Sequence, residues 1–559
     1  MRLSAHPLAA ALAIALAAAP SLAAQEPDPP VYTRADTLRG SWTTPARAWW
    51  DVTFYDLSVT LHPGDSTISG SNAITLRALE AGRELQIDLM TPLEIDSIVQ
   101  DGHRLAYRRE GNAFFATLPE IVPAGATRTL TVHYHGSPRV AARPPWDGGI
   151  TWATDSIGRP WVVTTDQGIG ASVWWPNKDT QADEPDSQRV AVRVPPGLVN
   201  VGPGRLVDTR AFPDGSTVQE WFARSPINNY AIALATGHYA HYAESYAGEE
   251  GELTLDFWPL DYHLEAARRQ WAQVTPMLQC FEHWFGPFPW YEDGYKLVEV
   301  PHNGMEHQTA IAYGNGFANG YQGRDGSGTG DGLRWDFIIV HESAHEWWGN
   351  HVTTKDLADM WVHESFANYA ESLYNECLFG REAGARYVIG TRRGIRNDRP
   401  IIPARGVNAQ GSGDMYPKGG SMLHTIRQIV GDDARWRGIL RGIQAEFGRR
   451  TVTGQAVRDY MSREAGIDLS KIFEQYLETV MIPVFEYEIR GDVLRYRWAN
   501  VVPGFEMPVE VTLRDGGVFE TVRPTTEWRE AELTLSDPAA FAVDPDYYVE
   551  VRAGDAAPE

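Results

Sequence analysis

The apolar residues change their spacing twice along the chain, so no single layer of sheet or helix can bury them all. From Asp51 to about Ala240 they alternate with polar residues. Leu57, Val59 and Leu61 are separated by Ser58 and Thr60, Leu85, Ile87 and Leu89 by Gln86 and Asp88, and Leu130 and Val132 by Thr131. Alternation sends successive side chains to opposite faces of a sheet, and turns such as His62-Pro63-Gly64-Asp65 separate the runs. This predicts a large antiparallel β domain. Near residue 260 the spacing becomes helical. Leu264 to Trp284 reads as a helix ended by Gly286-Pro287, Leu333 to Trp348 as a second stopped near Gly349-Asn350, and Met360 to Tyr374 as a third. Trp436, Ile439, Leu440, Ile443 and Phe447 mark another helix face, followed by helices around Val457 to Met461 and Ile472 to Leu477. After Pro483 alternation returns, with Phe485, Tyr487 and Ile489 turning at Gly491-Asp492 into Leu494, Tyr496 and Trp498.

At 559 residues the chain exceeds what one core supports. The expected organisation is a multidomain α+β protein. Residues 1–24 are a signal peptide, 25–45 a lead-in linker, 46–245 an N-terminal β domain, 246–483 a mainly helical domain, 484–553 a small C-terminal β domain and 554–559 a tail. Arg2, the short apolar run from Pro7 to Pro20 and the small residues Ser21-Leu22-Ala23-Ala24 carry the signal reading. It implies a secreted or periplasmic protein cleaved near Ala23/Ala24. No later run of about 18 apolar residues is present, so no membrane span is expected. The only cysteines, Cys280 and Cys377, fall in predicted helices of one domain, and sequence leaves their pairing open. The formal charge of −24 disfavours a nucleic-acid partner and reads mainly as a solubility device.

Residues 341 to 371, HESAHEWWGNHVTTKDLADMWVHESFANYAE, concentrate the chemistry. His341 and His345 stand one helical turn apart on one face. With Glu364 from a following helix they make a two-imidazole, one-carboxylate set, which leaves a zinc coordination position open for water. One zinc ion per chain is expected. The helix also carries Phe337-Ile338-Ile339-Val340 and Trp347-Trp348, so polar groups among them need partners and a metal supplies one. Glu342, between the histidines, is the expected general base. Glu371 shares a helix face with Glu364 and is a candidate partner for a histidine N–H. His351 and His363 fall outside the ligand spacing and read as structural. Gly323 to Gly332 (GRDGSGTGDG) lacks the strand and lysine of a phosphate cradle and reads as a mobile loop at the mouth of the site.

Pro301-His302-Asn303-Gly304-Met305-Glu306-His307-Gln308 precedes the first histidine, and Met415-Tyr416-Pro417-Lys418-Gly419-Gly420 follows the third ligand. Together with Trp174-Trp175-Pro176, Asp179 and Phe473-Glu474-Gln475-Tyr476-Leu477, these segments resemble the aminopeptidase N family of gluzincin peptidases, related to leukotriene A hydrolase. The resemblance runs in order from about residue 50 to the C-terminus. It implies a thermolysin-like fold for the catalytic domain, a small C-terminal β-sandwich and peptide substrates with a free N-terminus. By position, Glu306 matches the residue that binds the substrate α-amine, Gly304 and Met305 line the substrate, and Gln167 assists at the amine. Tyr416 matches the tyrosine that stabilises the oxyanion.

Two departures stand out. The family's Gly-Ala-Met-Glu-Asn is here Asn303-Gly304-Met305-Glu306-His307, and the chain ends soon after the small β domain, where many relatives carry a large helical domain. A more open site, or one closed by self-association, is expected; oligomeric state is not readable. The rival readings are a thermolysin-like zinc endopeptidase, a non-catalytic peptide-binding protein, which would be expected to lose some of these residues, and epoxide hydrolysis by analogy alone.

Overall fold

The computed structural model describes residues 31–554. The signal reading, residues 25–30 and most of the expected tail lie outside the described residues.

The expected linker is folded where it is described. Thr33 and Asp36 form a capping box that starts a helix over Arg34–Gly40, and Pro45–Ala48 forms a second short turn. Leu38 and Ala46 bury against Ala113 and Phe115. Arg47 is fully buried and donates to Asp88 at 2.5 Å, so this segment is part of the β domain.

At the centre of the β domain, strand Trp50–His62 pairs antiparallel with Thr67–Ala78 and parallel with Ser187–Val194. It lies inside an eight-stranded sheet whose remaining pairs are antiparallel. Leu57, Val59 and Leu61 bury into one core with Leu85, Ile87 and Leu89 from a second, three-stranded sheet. A four-stranded sheet contains the hairpin Gly149–Thr154 and Pro160–Thr165, whose second strand leads directly to Gln167.

The boundary expected at 245/246 falls inside strand Tyr242–Gly248, which pairs with Gly251–Trp258. These strands begin a five-stranded sheet that continues through Tyr295–Glu299, Ile311–Tyr313 and Gly304–Met305. The sequence reading missed this sheet. Tyr295–Glu299 is parallel to both neighbours and every residue in it is buried, so it shows no alternation. The helix expected from Leu264 to Trp284 is interrupted: Leu264–Gln270 gives way to a tight turn at Trp271–Gln273, and Val274–Phe285 follows. Pro276 supplies the reason, since it has no N–H for the preceding turn and its ring crowds the carbonyl four residues back.

The histidine helix spans Phe337–Ala344, shorter than Leu333 to Trp348, and the glutamate helix spans Trp361–Phe379. Trp348 stacks on Phe366 with ring centroids 4.1 Å apart, locking the two elements together. Cys280 and Cys377 are joined, which ties Val274–Phe285 to the far end of the glutamate helix. Beyond Val484 a four-stranded sheet and a two-stranded sheet pack their inner residues onto the helical core. Among the described residues no helix is long and apolar enough to cross a membrane.

Candidate metal centre

Asp336 starts the histidine helix by accepting the backbone N–H groups of Ile338 and Ile339 through its carboxylate. His345 stands just past the last helical residue but keeps a helical backbone, φ −67° and ψ −16°. The wider turns that follow, such as Asn350 N–H to His345 C=O at 3.0 Å, end the helix without rotating His345 off its face.

Each imidazole is fixed through Nδ1. His341 Nδ1 lies 2.9 Å from Glu371 Oε1, and His345 Nδ1 lies 2.8 Å from the Trp348 carbonyl. Both partners accept, so each Nδ1 carries the hydrogen and each Nε2 keeps a free lone pair. The two Nε2 atoms face Glu364 Oε2, at 3.7 Å from His341 and 3.4 Å from His345. That oxygen is buried without a hydrogen-bond partner. Three lone-pair donors within 4.8 Å of one another form a cluster able to hold a metal cation. Two imidazoles and one carboxylate suit zinc and leave a coordination position open.

Glu371 is held from three sides, its Oε1 also accepting from Asn368 Nδ2 at 3.2 Å and its Oε2 from the Tyr387 hydroxyl at 3.0 Å. Gln167 arrives from the β domain. Its amide donates to Glu306 Oε1 and, at 3.2 Å, to Glu364 Oε1. Asn350 Nδ2 holds the Glu306 carbonyl at 3.0 Å, and Thr309 N–H donates to Glu346 at 2.7 Å, so the turn after the histidine helix positions the Glu306 segment. Glu306 is buried. Burial and the neighbouring charge of Glu364 raise its carboxyl above the usual range, with His345 opposing.

Glu342, Glu306, Met305, Gly304, Gln167 and Tyr416 line one cleft of about 680 Å³ with the three metal-facing residues. Burial pushes the Glu342 carboxyl up to about 7; the His341 charge opposes this and Glu306 adds to it. Tyr416 sits at the start of the helix Pro417–Val430, its ring centroid 5.9 Å from that of His341. Burial and the charges of Glu364 and Glu306 push its phenol well above 10, so it remains a hydrogen-bond donor.

The other histidines stay apart from this cluster. His351 bonds Gln444 at 2.8 Å, and His363 Nε2 accepts the Thr354 N–H at 3.0 Å. His307 is buried on the far side of the Glu306 segment, where burial pushes it down to about 3. The glycine-rich segment is pinned: the Asp325 carboxylate accepts from Ser327 and Gly330, and Arg393 donates to the carbonyls of Asp325 and Gly326. Asn350, Asn368, Tyr387 and the cleft residue Trp146 were not singled out from the sequence. Nothing in their spacing separates them from ordinary polar or core positions.

Residues 272–476 match the model of the peptidase family M1 domain. Mouse aminopeptidase B is 23% identical over 526 residues, covering 86% of this chain and 72% of that protein. Lactobacillus helveticus aminopeptidase N is 31% identical over 168 residues, 28% of this chain and 20% of that protein. Among solved structures, an M1 zinc metallopeptidase from Deinococcus radiodurans superposes with a TM-score of 0.66 at 21% identity, covering 80% of this chain and 98% of that one.

Proposed function

The chain belongs to the gluzincin peptidases of family M1, and on that premise we propose that it releases the N-terminal residue of peptides as a zinc-dependent aminopeptidase. His341, His345 and Glu364 are the residues that would hold the zinc. The ion supplies a Lewis acid and eases the deprotonation of water near neutral pH.

The protein's own groups carry the rest. Glu342 takes the proton of the attacking water and returns it to the leaving amine. Tyr416 donates its hydroxyl hydrogen to the carbonyl oxygen as negative charge develops there. Glu306 receives the substrate ammonium, with Gln167 fixing the carboxylate that does so. Glu371, through His341 Nδ1, keeps that ring in its binding tautomer.

The observation that supports an exopeptidase is the single amide of Gln167 shared by Glu306 and Glu364. It ties the amine anchor to the metal-facing carboxylate, which keeps the proposed amine site close to the metal-facing residues. Glu306→Ala is expected to lower kcat/KM on aminoacyl amides at least a hundredfold while the zinc content stays at one per chain. Full activity in that variant, or cleavage of an N-acetylated peptide by the wild type, would favour the endopeptidase reading instead.

Export to the periplasm or beyond belongs to the same proposal. The Cys280–Cys377 bridge supports it, because such bonds persist in oxidising compartments and are rare in the cytosol.

A further inference from the structure

One tryptophan is more exposed than buried among the described residues. Trp146, at 70% exposure, lines the same cleft as Gln167 and Glu306. Its loop is built to hold it there. The Asp147 carboxylate accepts the N–H groups of Ala142 at 2.7 Å and Arg143 at 2.8 Å, and Trp146 N–H closes a turn onto the Arg143 carbonyl at 2.8 Å. Gly148 then presses against Ile169 so closely that an added Cβ would lie 2.2 Å from its Cγ2.

Register decides which end of the cleft this is. Gly149 pairs with Thr165, so the loop carrying Trp146 leaves the sheet at the same end as the segment leading to Gln167. Gln167 contacts Glu306, the amine anchor of the reading above. Trp146 and that anchor line one and the same cleft. Pro145, Met305, Phe337 and Met415 add apolar surface to the same cleft.

We propose that Trp146 is a specificity-determining residue: its indole forms a wall for the N-terminal side chain and selects large apolar or aromatic residues over small ones. An aromatic ring against a large apolar side chain removes area from water that a methyl group cannot match. The inference rests on the aminopeptidase reading, and the experiment separates the two.

The measurement compares kcat/KM for phenylalanine and alanine p-nitroanilides in wild type, Trp146→Phe and Trp146→Ala, with calorimetric binding of free L-phenylalanine and L-alanine alongside. Wild type should favour phenylalanine in both assays. Trp146→Ala should lower the phenylalanine-to-alanine ratio about tenfold, and Trp146→Phe should retain most of it. If wild type cleaves neither amide, the aminopeptidase reading fails, and the amino-acid binding ratio alone decides the role of Trp146. A ratio unchanged within twofold in Trp146→Ala, or no preference for phenylalanine in wild type, overturns the proposal.

Discussion

Gly304 is the residue where the substrate-lining strand and the proposed base nearly touch. A Cβ at this position would stand 2.5 Å from Glu342 Oε1 and 2.9 Å from its Cδ, so only glycine leaves the carboxylate where it is. Gly304→Ala must displace either the strand or the Glu342 side chain. A shift of about 1 Å in a reacting group costs on the order of a hundredfold in rate. The expected outcome is a fall in kcat of that size with the melting transition retained, checked by steady-state kinetics beside thermal unfolding. An unchanged kcat would mean that Glu342 has freedom the packing denies it. At this scale the sequence was informative about residues whose roles follow from spacing, such as His341, Glu342 and His345. It was silent on Asn368, Tyr387 and Asn350, because a second contact to Glu371 or Glu306 leaves no local pattern. The Asn303–His307 departure also acquires a physical reading. His307 turns away into the core, and Asn350 holds the Glu306 carbonyl from the other side.

Between elements, two glycines set the distance from the glutamate helix to the helix that begins at Tyr416. An added Cβ would lie 1.9 Å from Ser365 Oγ at Gly419 and 2.3 Å from Asn368 Oδ1 at Gly420. The two helices therefore meet almost backbone to backbone, and Ser365 Oγ donates to the Met415 carbonyl at 2.7 Å, next to Tyr416. Gly419→Val should push the helix outward, costing about 1–3 kcal/mol of stability by overpacking. It should also lower kcat through Tyr416 while zinc stays bound. Adding Ser365→Gly should restore part of both losses; a double variant no better than the single one would place the damage elsewhere. The Lys418-Gly419-Gly420 run was visible in the sequence as a motif, but its reason is an inter-helix contact. The break before Pro276 went unread within a run of helical spacing, and the five-stranded sheet was hidden because a strand buried on both faces has no period to read.

For the whole molecule, the Cys280–Cys377 bridge closes a loop of 97 residues that contains all three metal-facing residues. Constraining a loop of that size stabilises the fold by about 2–5 kcal/mol. Protein recovered from an oxidising periplasm should show no free thiol, and protein made in a reducing cytosol should show two and unfold at lower denaturant. Equal denaturation midpoints, with thiol counts confirmed, would remove the bridge from the account of stability and weaken the export reading. Much of the architecture was legible beforehand: β, then helical, then β, with zinc chemistry on a helix pair. These follow from local rules, since alternation and helical phase depend on neighbours along the chain. What the sequence by itself determined is therefore that His341 and His345 share a face and that Glu342 stands between them. The tertiary structure decided the rest. Gln167 meets Glu306 across 139 residues and Glu364 across 197, Trp146 enters the cleft beside them, and Glu364 Oε2 is left unpaired before two imidazoles. Contacts at that separation come from how domains pack, which no local period encodes.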